Sequence, residues 1–150
     1  MGDEGVHDKA TQQEVGYSVI GIHPTLLPDS YRNMIYSKWL RSLRFGNDYF
    51  KLINPAAYYD AYNKYIQRIM AQPKTMVRVA VLNDDYDVAL GFSVSRGNIL
   101  DYVHVHRDNR FLGIGTKLVP NGIDTITHLT KTGMVIWANK YGHWAFNPFA

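Results

Sequence analysis

Apolar and polar positions change period several times along the chain, and each change predicts an element. Tyr17 to His23 (Y-S-V-I-G-I-H) reads as a first strand, ended by Pro24 and Pro28. Asp29 or Ser30 offers the short oxygen-bearing side chain that satisfies the free N–H groups of a helix start. Ile35, Tyr36, Trp39, Leu40 and Leu43 then recur at helical spacing, and Gly46-Asn47 ends that helix. A loop from Asn47 to Ile53 follows. Asn54 caps a second helix with Pro55 in its first turn, where a missing N–H costs little. Its buried stripe is Tyr58, Tyr59, Tyr62, Tyr65, Ile66, Ile69 and Met70, and Pro73 stops it. Three strands come next, Met76–Leu82, Ala89–Ser95 and Ile99–His106, joined by the polar turns Asn83-Asp84-Asp85 and Arg96-Gly97-Asn98. Such short turns imply antiparallel pairing. In the third strand, alternation puts Asp101, Val103 and Val105 on one face and Tyr102, His104 and His106 on the other. A short helix from Thr116 to Val119, a strand over Ile123–Thr130, a helix over Gly133–Tyr141 and a last strand over His143–Phe149 complete the pattern. The expected order is β-α-α-β-β-β-α-β-α-β, an α+β fold whose mostly antiparallel sheet is flanked by helices.

Residues 1–15 lack periodicity and read as a flexible acidic tail, leaving residues 16–150 as one domain, with no internal repeat or linker. The tail sets Asp3, Glu4, Asp8 and Glu14 against Lys9, which is not the basic-then-apolar pattern of a secretory signal. No apolar run reaches the roughly 20 residues that span a bilayer, so no membrane role is expected. The absence of cysteine excludes disulfides, thiolate nucleophiles and cysteine zinc sites. The overall charge of +3 conceals a tail at −3 and a body at +6. A body of that sign suits solubility, or an anionic partner such as a phosphate-rich cofactor or nucleic acid. Lys38, Arg41 and Arg44 form a basic stripe on the first helix, either a solvated face or a contact for an acidic substrate or nucleic acid.

The most informative segment runs from Val103 to Val119, where a strand enters Arg110-x-x-Gly113-x-Gly115 and a helix begins at Thr116. Glycines admit positive φ and let an anion approach the main chain. The helix start adds its unpaired N–H donors and the positive end of its dipole. The product is a nest for a pyrophosphate, with the amides of Phe111, Leu112, Gly113, Ile114, Gly115 and Thr116 as donors and Arg110 at its mouth. A dinucleotide fingerprint would need a third glycine and an opening βαβ unit, and a Walker loop would need Gly-Lys-Ser/Thr.

This signature, with the valine-rich strand before it and the element order around it, resembles the GCN5-related N-acetyltransferases over about Tyr17 to Phe149. S-K-W-L-R-S-L-R (Ser37–Arg44), D-Y-V-H-V (Asp101–Val105), T-H-L-T (Thr127–Thr130) and W-A-F-N-P-F (Trp144–Phe149) further resemble small acetyltransferase-like proteins encoded by bacteriophages. The resemblance implies acetyl-CoA as cofactor. Its pantetheine arm would pair with the backbone of Val103, His104 and Val105, and its pyrophosphate would lie on the turn. Phe111 stands where the family often has glycine. The family often carries a tyrosine as general acid, but Trp137-Ala138 occupies that place here, leaving Tyr141 or Tyr102 as substitutes. Asp101, on the strand where relatives keep a base or an ordered water, is the first base candidate and His104 the second. The acceptor side would be bordered by Phe45–Ile53.

The expected activity is direct transfer of an acetyl group to an amine, whether a protein lysine, a small amine or a nucleobase. The rival is a catalytically degenerate structural or interaction protein of a phage virion, with a phage or host protein as partner. The first places the chain in the cytoplasm, of the host if phage-encoded, and the second in the particle. His104-x-His106 reads as ordinary strand histidines, since no third metal ligand is evident, and no metal is expected. His128 either orients a substrate or packs.

Overall fold

The computed structural model describes residues 16–107 and 113–150. The acidic segment 1–15 and the turn residues Arg110, Phe111 and Leu112 lie outside the described residues. Chain order is β1 (Tyr17–Ile22), α1 (Asp29–Phe45), α2 (Asp48–Lys51), α3 (Pro55–Met70), β2 (Thr75–Leu82), β3 (Asp85–Arg96), β4 (Ile99–Val105), α4 (Ile114–Leu118), β5 (Thr125–Ile126), α5 (Lys131–Lys140) and β6 (Ala145–Phe146). The strands lie side by side in sequence order. β1 to β4 are antiparallel, whereas β4, β5 and β6 run parallel through the crossovers that hold α4 and α5. The expected α+β architecture is therefore the one observed.

Local differences have local causes. Asp29 enters α1 as its first residue instead of capping it. Pro28 is extended at the cap, and its carbonyl accepts the Arg32 amide at 2.9 Å. Asn54 caps α3 as expected, its side chain accepting the Ala57 amide at 3.1 Å. The loop expected at Asn47–Ile53 contains the single turn α2. The strands expected over Ile123–Thr130 and His143–Phe149 shrink to two residues each. The Thr127 amide still donates to the Leu100 carbonyl at 3.1 Å, and beyond it the Leu129 carbonyl accepts from the Asn47 side chain. α5 begins at Lys131, two residues before the expected start, with Thr130 accepting the Gly133 amide at 3.0 Å.

One face of the sheet carries α1 and α3. Ile35, Trp39, Leu43, Ile66 and Ile69 are buried there against Val77, Val79, Phe92 and Val94. Each such side chain contributes about 1.5–3 kcal/mol by leaving water. On the other face α4 seats Ile114 and Leu118 against Ala80 and Leu90. A third cluster, Leu100, Ile123, Ile126 and Trp144, holds the two short parallel strands.

Gly46 joins the two halves. Its carbonyl accepts the Lys131 amide at 2.9 Å, so the end of α1 abuts the start of α5. A Cβ at this position would lie 2.8 Å from Cγ2 of Thr130. Gly46→Ala is therefore expected to displace the Thr130 cap and to lower stability by about 1–3 kcal/mol, the usual cost of overpacking, as read from urea unfolding.

Candidate active site

The site begins with an irregularity in β4. Val94 pairs with Tyr102, but Ser95 pairs with Leu100, so Asp101 is an extra residue opposite one step of β3. A bulge of this kind re-aims side chains and bends the strand. Here Tyr102 turns to the helix side, stacked on Trp39 with ring centroids 5.2 Å apart, and its hydroxyl hydrogen-bonds Ser42 Oγ at 2.7 Å. Asp101 also faces α3, where its charge helps raise the Tyr65 phenol above its ordinary value, after the larger effect of burial. The alternation that grouped Asp101 with Val103 and Val105 is thereby corrected.

Asp101 is fully buried, and both carboxylate oxygens are occupied. Arg96 donates from Nε to Oδ2 and from Nη2 to Oδ1, each at 2.7 Å. Thr127 Oγ1 donates to Oδ1 at 3.0 Å. The aspartate expected as a base is instead the centre of a bidentate ion pair, which in turn holds the Arg96 guanidinium above its usual value.

The proton on Thr127 Oγ1 goes to the carboxylate, which has none to give. Thr127 must therefore accept from its other neighbour, Nδ1 of His128, 2.9 Å away. That assigns the Nδ1–H tautomer and leaves Nε2 as a lone-pair acceptor. The ring also has a hydrogen bond to the Asp101 backbone, and His128 lines two cavities. Burial pushes its imidazole down to about 4, a shift that the Asp101 charge opposes, so it is neutral at pH 7. Tyr62 and Tyr65 pack on the ring with centroids 6.0 and 5.1 Å away.

The first cavity, about 700 Å³, opens where β4 and β5 part. Their ladder consists of Ile99–Thr125 and Leu100–Ile126 alone. Beyond it, Val103, His104 and Val105 line the cavity, as do residues along α5 from Lys131 to Lys140. Gly113, Gly115 and Thr116 stand at one end. Gly113 has φ +73°, which favours glycine, and a Cβ on Gly115 would find only Val105 Cγ2 at 3.7 Å. Lys140 Nζ donates to Thr116 Oγ1 at 3.1 Å. Ile114, expected among the turn donors, points its side chain into the core.

Of the remaining candidates, His104 is on the cavity wall, with His106 5.4 Å away and Phe92 5.7 Å away. His106 is pushed down by burial and by Lys38. No group of three potential metal ligands occurs among the described residues. Tyr141 lines the cavity with its ring stacked 4.1 Å from that of Trp144. Trp137, where the family's tyrosine was expected, donates Nε1–H to the Trp144 carbonyl at 3.3 Å. Arg44 is not part of an exposed basic stripe. It is buried near Phe45, Tyr58 and Tyr59 and donates to the Ile53 carbonyl at 3.1 Å.

A second cavity, about 630 Å³, meets the first at His128, Leu129 and Trp137. Asn47, Tyr49 and Phe50 of the expected acceptor segment line it, together with Tyr62, Tyr65 and Phe146. Sequence reading missed the Arg96–Asp101–Thr127–His128 network. Asp101 and His128 are legible separately as candidates, whereas Arg96 reads only as part of a turn.

Two predictions follow from this network. Arg96→Met strands a buried carboxylate and is expected to cost about 3–5 kcal/mol in urea unfolding. For His128, the unfolded chain binds a proton below about pH 6.5, the folded chain only below about 4. The unfolded state thus holds more protons between these values, and stability falls as pH drops through that window, by up to about 3 kcal/mol. His128→Asn should remove that slope, while the parallel loss from His106 persists.

Neither a protein-family model nor a curated protein sequence matches the chain. Among solved structures, it resembles a putative acetyl transferase from Pyrococcus furiosus, with TM-score 0.56, 16% identity, and 86% of this chain and 93% of that one covered. It also matches an aminoglycoside acetyltransferase from an uncultured soil metagenomic sample in complex with sisomicin, at TM-score 0.49 and 13% identity over 87% and 88% of the two chains. A ribosomal-protein-alanine N-acetyltransferase from Brucella melitensis biovar Abortus 2308 aligns at TM-score 0.41 and 16% identity, over 87% and 79%. The likeness to the Pyrococcus furiosus structure is one of fold, a mixed and mostly antiparallel sheet flanked by helices.

Proposed function

We propose that the protein transfers an acyl group from acetyl-CoA directly to an amine. The observation that carries this reading is the parting of β4 and β5 after two residue pairs, which opens a cleft along a strand edge and ends it at glycines. The cleft suits an extended amide-bearing arm along Val103, His104 and Val105. At its end, the amides of Gly113, Ile114, Gly115 and Thr116 would take a pyrophosphate together with those of Phe111 and Leu112, and Arg110 and Lys140 would supply positive charge. The likeness in fold to a putative acetyl transferase supports the same reading.

When bound, acetyl-CoA supplies an activated carbonyl with a thiolate leaving group. The chain has to orient the amine, keep it neutral and manage one proton. Asp101 is committed to Arg96 and does not serve as the base. His104 and Tyr141 both line the cleft, as candidates to manage that proton. With no cysteine in the chain, no acyl-cysteine intermediate forms. The quoted resemblance to bacteriophage proteins suggests a phage-encoded member of the fold.

Titration calorimetry with acetyl-CoA tests the reading. We expect one site per chain, and Gly115→Trp, which fills the end of the cleft, should weaken binding by more than about tenfold. No heat at millimolar acetyl-CoA would end the proposal.

A further inference from the structure

The second cavity is not needed to hold a CoA thioester, yet it opens onto the same three residues, His128, Leu129 and Trp137. Its walls are the rings of Tyr49, Phe50, Tyr62, Tyr65, Trp137 and Phe146. Among the described residues, no Asp, Glu, Lys or Arg lines it. At the junction stands His128, whose Nδ1 is tied to the Thr127–Asp101 chain, which makes Nε2 the ring's acceptor. We propose that this cavity is the acceptor site and that its substrate is a monoamine carried on an aromatic ring, held with its nitrogen against Nε2 of His128.

Three features choose that class. Aromatic walls take a flat ring by stacking and edge contacts, and rings so paired gain more than their buried area alone provides. A polycation would bring further ammonium groups into a cavity with no carboxylate to meet them, which is costly. Finally, only the free base attacks a thioester. The same desolvation that keeps His128 neutral also favours the uncharged amine. At the junction the amine N–H donates to Nε2, which aims the nitrogen lone pair at the first cavity.

The transfer balances without another reagent. The nitrogen pair forms the C–N bond to the thioester carbonyl carbon, and the C–S bond breaks with its pair on sulfur. The proton released from nitrogen goes to Nε2 of His128 and then to the sulfur, leaving an amide and a free thiol. This step rests on the acyltransferase reading, but the choice of acceptor can be tested apart from it.

Saturation-transfer NMR on the full chain, without acetyl-CoA, should show tryptamine and 2-phenylethylamine bound through their ring protons and competing with each other. Spermidine and kanamycin should show no specific binding. Tyr49 is exposed, so Tyr49→Ala should leave the fold intact while weakening the aromatic amines about three- to tenfold. With acetyl-CoA present, thiol release should follow the same order of amines. His128→Phe keeps a ring in place but removes one hydrogen bond, so amine affinity should fall by no more than about tenfold, while turnover falls by about a hundredfold or more. Absence of aromatic-amine binding in a chain that binds acetyl-CoA overturns the acceptor assignment and leaves the acyltransferase reading standing. Aromatic-amine binding in a chain that ignores acetyl-CoA does the reverse. Preference for spermidine, kanamycin, a lysine peptide or an oligonucleotide overturns the assignment, as does full turnover in His128→Phe.

Discussion

A carboxylate removed from water must be neutralised where it lies, and Arg96 does this for Asp101 with two hydrogen bonds of 2.7 Å. The pair spans the tight turn between β3 and β4, and it holds in place the bulge that inserts Asp101 into the strand. Desolvating two such groups costs several kcal/mol each, offset by bidentate geometry and the Thr127 hydroxyl. Thr127 is thereby drawn to β4 by its side chain. The residues after it leave the sheet, Asn47 donates to the Leu129 carbonyl, and Thr130 starts α5. The separation of β4 from β5 that makes the first cavity is thus tied to one ion pair.

The same network sets the chemistry at the junction of the two cavities. Thr127 has one proton, and the carboxylate takes it. This orders the hydrogen bonds back to His128 and leaves one ring nitrogen protonated and the other bare. The unprotonated nitrogen is one of few polar acceptors on a wall otherwise made of rings, and it marks where a donor group on a ligand would stop.

The tyrosines divide into two kinds of work. Tyr58 is buried, hydrogen-bonded to the Leu40 carbonyl at 2.6 Å, and burial raises its phenol strongly. Tyr62 and Tyr65, on the same helix, reach the second cavity and pack on His128. One aromatic stripe therefore both anchors α3 to α1 and furnishes a binding wall. Arg44 lies among Phe45, Tyr58 and Tyr59, so a cation that heptad-like spacing would leave in solvent is used inside the helix pair.

The chain's periodicities determined the long elements: the helices under Trp39 and Ile66 and the three antiparallel strands. These follow from contacts between near neighbours, and hydrophobic spacing reports them directly. Sequence alone could not assign the roles of Asp101, Arg44 and His128, nor the two-residue lengths of β5 and β6. Each depends on a partner distant along the chain or on a register shift. Alternation puts Asp101 on the face of Val103 and Val105, and the family resemblance makes it a base candidate, but the bulge turns it toward Arg96. β-branching predicts a strand as far as Thr130, but the ladder ends at the Thr127 amide, and the Asn47 side chain takes the Leu129 carbonyl instead. Tertiary structure decided these because a buried charge or hydroxyl is satisfied by whatever partner the fold brings within hydrogen-bonding distance, and periodicity carries no record of that partner.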